Sequence, residues 1–292
     1  MKKYTNIILI FLFVILDIFI LYKSKIVINS FRETLNICLY NLMPTLFLSI
    51  LINQMLIKLN FEKFIPKKLI KKLFNINDKE ASIFLLSIVS GFPNNSKMLI
   101  DDINLNNIIQ YTNFINPIFL ICTIKDLKLS ILILLSHYIS SIIIGIILRN
   151  KNIIYTNKNS YNKVSYLSMY YSTLKDTIYT ISIIFSNILL FSIINSLIIN
   201  IFNFNDIVSS IIKGIIEFSS GIYDISNMSI KYKGLIILFI ISFSSFSMHM
   251  QIMSINPKIK YIKFFLFRIF NVFISCFIYY FLILILKIFH LQ

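Results

Sequence analysis

The sequence predicts an all-α polytopic membrane protein with about seven transmembrane helices. Three observations lead there. Of the 292 residues, 57% are hydrophobic and only 14% charged, with a mean hydropathy of +0.81, whereas soluble domains carry about 25% charged residues. Apolar runs near the length of about 20 residues that a bilayer crossing needs recur along the chain. Polar interruptions fall at corresponding places in both halves, so the architecture repeats where the residues do not.

The first apolar run, residues 7–22, follows a basic start. No small-residue cleavage pattern comes after Tyr22, and Lys23 and Lys25 follow at once, so residues 1–25 are expected as an uncleaved first transmembrane helix rather than a signal peptide. A second helix is expected over about 31–59; it contains Pro44, which a membrane helix tolerates when neighbours satisfy the freed carbonyl. Residues 58–80 alternate basic and apolar positions. They read either as an amphipathic segment lying on the cytoplasmic surface or as a solvated basic loop.

Residues 81–90 are apolar but too short to cross. The stretch SGFPNNSKMLIDD follows, in which Gly91 and Pro93 break a helix and Asn94, Asn95, Ser96 and Lys97 need polar partners. Residues 103–124 form a span interrupted between Asn113 and Pro117, and 127–148 form an uninterrupted one. Residues 150–170 are polar and basic and make the best boundary between a first repeat, 28–149, and a second, 171–292.

The second half follows the same plan. A span covers about 174–201. The short segment 208–218 stops at Ser219-Ser220-Gly221, the span from about Gly234 is interrupted at SFSSFSMHMQIMSINP, and a last span covers about 262–289. With the N-terminus inside, the basic stretches 58–80, 149–170 and 258–263 all fall on the cytoplasmic side and Asp206 falls outside. The two short segments then become re-entrant half-helix hairpins entering from opposite faces. The expectation is two inverted repeats, each with one such hairpin and one interrupted helix. In secondary transporters this pattern surrounds a midplane site.

The formal net charge of +16 fits cytoplasmic loops and anionic membrane lipid better than nucleic acid, because no compact basic face with interleaved aromatics is present. Cys38, Cys122 and Cys276 are far apart in apolar segments and read as small buried hydrophobes. No CxxC pair or HExxH helix is present, and no cofactor, metal site or ATP-binding motif is expected. Neither a GxSxG elbow nor an acid at helical spacing from His249 supports nucleophilic catalysis, so the chain is not expected to be an enzyme.

The candidate site residues are the polar side chains at the breaks: Asn94, Asn95, Ser96 and Lys97; Asn113 and Asn116; Ser219 and Ser220; Ser245, Ser247, His249 and Gln251. Ionisable and amide groups at membrane depth are costly and usually face a cavity. Lys97 reads as a partner for a substrate carboxylate or as a lysine at a hairpin tip paired with Asp101. His249 reads as a site residue or a hydrogen-bonded structural one. Glu217 reads as a proton-coupling group or a surface residue, and His137 with Tyr138 as a packing pair.

At these residues the chain resembles the YlbJ/SpoVV sporulation integral membrane proteins, within the wider set carrying the nucleoside-recognition Gate domain. That family's Ser-Gly-Tyr-Pro-x-Gly-x-Lys segment is matched by Ser90-Gly91-Phe92-Pro93-Asn94-Asn95-Ser96-Lys97. Its Cys-Asn-Asn-x-x-Pro-Leu-Phe-like segment is matched at Asn113, Pro117 and Phe119, and its His-Tyr at His137-Tyr138. Its Glu-x-x-x-Gly resembles Glu217 to Gly221, and its Phe-Gly-Gly-x-Ser-x-His-x-Gln resembles Phe243 to Gln251. The ordered set spans nearly the whole chain. Family glycines are replaced by Asn95, Ser244 and Ser245.

The resemblance implies transport of dipicolinic acid across the outer forespore membrane during endospore formation. Such a planar dianion would be met by Lys97, by amide and hydroxyl donors and by half-helix N-termini, with Phe92, Phe114 and Phe246 beside its ring. A nucleoside or other small-solute transporter of the same fold, and a non-transporting sporulation assembly factor, are the alternatives.

Overall fold

A computed structural model describes residues 2–59, 61, 64, 66–100, 102, 104–149, 165–202 and 204–290. Among these residues all regular structure is helical. Four helical stretches are long and apolar enough to cross a membrane: Leu127–Ile147, Tyr166–Phe202, Lys233–Ile255 and Tyr261–Ile288. Most of the connector 150–170, and Asp101 in the first break, lie outside the described residues.

Helix α1 (Lys2–Tyr22) leads into α2 (Ser24–Asn36), a wide π turn (Ile37–Leu42) and α3 (Met43–Lys58). The π turn has a local cause. Pro44 lacks an N–H and its ring crowds the carbonyl four residues back, and just before it the Met43 N–H bonds to Cys38 O, five residues back.

The basic segment is tied down rather than freely solvated. In α4 (Lys68–Phe74), the Phe74 ring lies 5.0 Å from those of both Phe84 and Tyr111, and Lys67 and Lys71 form ion pairs with Asp78. Helix α5 (Asp78–Ser90) begins at a capping box: Glu80 N–H donates to Asn77 Oδ1 (2.9 Å) and Asn77 N–H to Glu80 Oε2 (2.8 Å). Each satisfies an amide that a helix start leaves open. The helix therefore starts three residues earlier than the apolar run alone predicts.

The first break follows at Gly91-Phe92-Pro93, then the short α6 (Asn94–Met98). Helices α7 (Leu105–Tyr111) and α8 (Pro117–Ile124) form an interrupted span, and α9 (Leu127–Ile147) an unbroken one. Helix α10 (Tyr166–Phe202) starts eight residues before the expected span. Next come α11 (Asp206–Ile216) and α12 (Phe218–Asn227), folded back on each other, then α13 (Lys233–Phe243) and α14 (Phe246–Ile255), and finally α15 (Tyr261–His290).

Helices α9, α13 and α15 pack together at the centre, with α7 against both α9 and α15. The inward face of α9 presents buried His137 together with Ser136, Ser140, Ser141 and Gly145, the last four being small residues that let membrane helices approach closely. The outward face of α15 exposes Leu266, Phe270, Phe273, Phe277 and Phe281. That apolar stripe suits contact with lipid chains.

The ends of the molecule are tied by different chemistry. At one end Lys58 pairs with Asp176 (3.5 Å), Lys260 N–H donates to Asn106 Oδ1 (2.7 Å) and Lys263 Nζ donates to Asn107. At the other, Ser30 Oγ donates to Ser192 O (3.2 Å) and Ser196 Oγ to Ser30 Oγ (2.8 Å), joining α2 to α10.

Candidate functional site

The helix breaks meet in the middle of the molecule. In the first, Gly91 adopts φ +70° and ψ −179°, a conformation essentially restricted to glycine. The turn brings Phe92 N–H onto Phe114 O (2.6 Å), so the first break is stitched to the second. Asn95 Nδ2 donates to Thr112 O (3.1 Å) and Asn116 Nδ2 to Ser90 O (3.3 Å). Asn116 also caps α8, its Oδ1 accepting from Ile118 N–H (2.9 Å) and Phe119 N–H (3.2 Å).

The breaks of the two halves touch directly. The Phe92 ring meets that of Phe218 at 5.4 Å in an edge-on arrangement, and Asn113 Nδ2 donates to Ser244 Oγ (2.8 Å). Ser244 sits at φ +64°, a region costly for a residue with a Cβ. Its hydroxyl offsets part of that cost by also donating to Ile241 O (3.1 Å). His137 bridges the same junction, one ring nitrogen 3.3 Å from Asn113 O and the other 3.3 Å from Ser242 Oγ. It is a linking residue, more than the packing partner of Tyr138 that the sequence predicts.

A vestibule of about 800 Å³ opens beside these breaks, on the side of the Ser30–Ser192 contact. Its walls are Ser30, Glu33 and Thr34 from α2, Cys122 and Thr123 from α8, Ser192, Asn195 and Ser196 from α10, and Ser219, Ser220, Tyr223 and Asp224 from α12. The volume lies within the range of about 300–1,000 Å³ usual for small-molecule sites. Lys213 Nζ and Asp224 Oδ2 form an ion pair of 2.6 Å on the wall. Phe119 ends the vestibule, its ring 5.3 Å from that of Phe218. Beyond Phe119 lies a small cavity lined by Leu42, Leu46, Phe92, Pro93, Asn116, Phe218, Met248 and Gln251. The π turn of 37–42 forms part of that wall.

The expected site residues divide into three groups. Asn116, Gln251, Ser219 and Ser220 line one or other cavity. Asn94, Asn95, Ser96 and Asn113 are fully buried around the breaks, with both amide atoms of Asn94 unpaired and Ser96 O accepting from Asn256 Nδ2 (3.2 Å). Lys97 is half-buried on α6. The third group is occupied elsewhere. Ser245 caps α14 through Met248 N–H, Ser247 Oγ accepts from Gln251 Nε2, and His249 contacts Phe243 O (2.9 Å) amid the rings of Phe243, Phe246, Phe264, Phe265 and Tyr261. Of the three expected ring-stacking residues, Phe92 lines the small cavity, and Phe114 and Phe246 line neither that cavity nor the vestibule.

Glu217 is not at the surface. It is fully buried at the α11–α12 turn, where its carboxylate accepts from Ser219 N–H (3.1 Å), Ser219 Oγ (2.7 Å) and Ser220 N–H (3.0 Å). Glu217 therefore caps the α12 N-terminus, and those two amides and the Ser219 hydroxyl are already engaged. Cys122 also departs from expectation, being exposed on the vestibule wall. The polar stripes Ser30-Glu33-Thr34 and Ser192-Asn195-Ser196 went unread in the sequence, although their i, i+3, i+4 spacing was the available signal.

Among the described residues no group of three or more His, Cys, Asp or Glu side chains is placed to hold a metal ion. What the arrangement offers is binding: a vestibule of mixed polar and apolar lining that ends at a constriction made of helix breaks. Fold and site together define an all-helical chain consistent with an integral membrane protein, with broken helices around an open cavity. No family model, curated protein or solved structure matches the chain.

Proposed function

We propose that the chain is a membrane transporter for a small anionic solute, built from two inverted halves with about seven crossings. The observation that carries this reading is the vestibule running to the point where the broken helices meet and stopping at Phe119, Phe218 and Phe92. A cavity open on one side and closed by a thin aromatic layer is the arrangement that alternating access requires. Irregular backbone at membrane depth is tolerable where it borders a cavity rather than lipid.

The two-fold plan is supported by pairing between corresponding positions. Phe92 and Phe218, each following a hairpin turn, meet each other, as do Asn113 and Ser244 in the two interrupted spans. Helix α8 of the first half packs on α12 of the second, and α14 of the second on α6 of the first. The end carrying Lys58, Lys258, Lys260 and Lys263 faces the cytoplasm under the positive-inside rule, so the vestibule opens to the other side.

The solute proposed is dipicolinate, moved across the outer forespore membrane, on the strength of the resemblance at Ser90–Lys97 and Phe243–Gln251. The vestibule's hydroxyl and amide lining suits a hydrated, planar diacid. Uptake by vesicles containing the purified protein tests this. Dipicolinate should accumulate, and Lys97→Gln should slow it far more than it slows a neutral solute. No dipicolinate movement, while a nucleoside crosses, would refute the assignment.

A further inference from the structure

The last span holds a charge that the site described above does not use. Arg268, on α15, is fully buried (0% exposed). It lies seven residues past the helix start, about 10 Å along the axis at 1.5 Å per residue. Its Nη2 donates to Gln110 O in α7, but Nε and Nη1 have no hydrogen-bond partner. The nearest ring is Phe264, 5.3 Å from the guanidinium carbon. Among the described residues no carboxylate forms an ion pair with it.

An unpaired guanidinium is not a stable way to fill a core. Buried charges are as a rule paired, because desolvation outweighs what one neutral hydrogen bond returns. Lys97, by contrast, is half-buried. The groups around Arg268 are likewise incompletely paired. Asn271, one turn further on the same helix, accepts from Ser140 Oγ (2.6 Å) while its Nδ2 has no partner. Gln110 Oε1 and Asn113 Oδ1, on the segment facing α15, have none either. The second break is thus joined to α15 through Gln110, and to the break between α13 and α14 through Asn113 and Ser244.

We propose that Arg268 is the charge anchor of an anion site formed between the 110–113 segment and α15. A solute carboxylate would take a two-pronged contact along one edge of the guanidinium, from Nε or Nη1 together with the remaining N–H of Nη2, with Asn271 Nδ2 as an additional donor. The inference rests on the transporter reading, since solute reaches Arg268 only when the breaks part. It also makes that reading more specific: the solute bears a carboxylate, and the deepest charge it meets is Arg268.

The test uses the full chain in detergent and follows thermal unfolding with dipicolinate, benzoate or uridine, for wild type, Arg268→Met and Arg268→Lys. Wild type should be stabilised by the carboxylates and not by uridine. Arg268→Met should unfold at the same temperature as wild type or higher without ligand, because a costly unpaired charge is gone. Its dipicolinate affinity should fall at least about 100-fold, the loss expected when one side of a buried charge pair is removed. Arg268→Lys, keeping charge without the fork, should fall in between. A merely structural arginine predicts the reverse: Arg268→Met less stable or unable to fold. That result overturns the proposal, as does an unchanged dipicolinate response or a wild type that no carboxylate stabilises. Stabilisation of wild type and Arg268→Met alike by uridine would remove the anion site and leave the transporter reading standing.

Discussion

Gly91 is where the first break is most sharply constrained, and replacing it with alanine is the clearest perturbation. A Cβ there would lie 2.4 Å from Asn116 N, 2.7 Å from Asn116 Cα and 2.9 Å from Asn116 Cβ. The first two are backbone atoms, which cannot rotate aside. Holding alanine at φ +70° and ψ −179° costs about 1–3 kcal/mol, and displacing packed neighbours costs about 1–3 kcal/mol more. Asn116 caps α8 and positions Phe119, so the displacement reaches the end of the vestibule. At about 2–4 °C per kcal/mol for a chain of this general size, the unfolding temperature should fall by at least about 5 °C. A thiol-reactive dye reports the transition in the Cys122→Ser, Cys276→Ser background, where the fully buried Cys38 reacts only on opening. Gly214→Ala is the control: the three atoms nearest its Cβ are side-chain atoms of Ile240, Cδ1 (2.2 Å), Cγ1 (2.7 Å) and Cγ2 (3.2 Å), with no backbone atom among them. A Gly91→Ala protein within about 2 °C of wild type, or one more stable than Gly214→Ala, would refute the reasoning.

Other outcomes follow from the same contacts. Asn113→Ala and Ser244→Ala should be non-additive, with a coupling of about 0.5–3 kcal/mol in a double-mutant cycle read by unfolding; additive losses would mean that the two breaks do not act together. Gly221→Ala should destabilise strongly, since its Cβ would lie 2.2 Å from both Gly214 Cα and Gly214 N and force α11 and α12 apart; a wild-type unfolding temperature would contradict the close helix pairing. Glu217→Ala should cost about 1–2 kcal/mol for the lost cap, with Glu217→Gln in between because it keeps one acceptor oxygen; equal losses would show that the cap is not what matters. Lys71, then Lys67, hold the Asp78 carboxyl below its ordinary value. A lowered folded value means stability that is present above the unfolded pKa of about 3.9 and lost as pH falls through the folded one. With Asp78 half-exposed the effect should stay under about 1 kcal/mol. Asp78→Asn should remove that part of the acid sensitivity, and an unchanged acid profile would contradict it.

The helical class and most of the places where helices break were legible because both rest on local chemistry. In the second hairpin, however, the chain turns at Glu217, whose side chain caps α12, and Ser219, Ser220 and Gly221, the expected stop, lie inside that helix. Gly91, Pro93, Asn116-Pro117 and the serines at 244–245 act on their own backbone, and the apolar runs between them are long. What was less legible depends on which way a helix face turns. Glu217 and Cys122 occupy sequence surroundings that give no clue to burial: the fold places the acid inside, which excludes the surface alternative, and the thiol, expected to be buried, on the vestibule wall. His249 stood out as a rare residue in a broken span, yet five aromatic rings enclose it and neither cavity reaches it. Arg268 is the opposite case. A charge several residues inside the last apolar span is itself a signal, but the neighbouring Lys263 and the general abundance of basic residues masked it.

The vestibule supplies its own probe for the central claim that solute passes through it. Cys122 is exposed on its wall, while Cys38 is fully buried. The decisive measurement is dipicolinate uptake into vesicles before and after a membrane-impermeant, thiol-specific reagent is added on the vestibule side. The account predicts that uptake by the wild-type chain is blocked and that uptake by Cys122→Ser persists. Uptake that continues unchanged with Cys122 modified would contradict it.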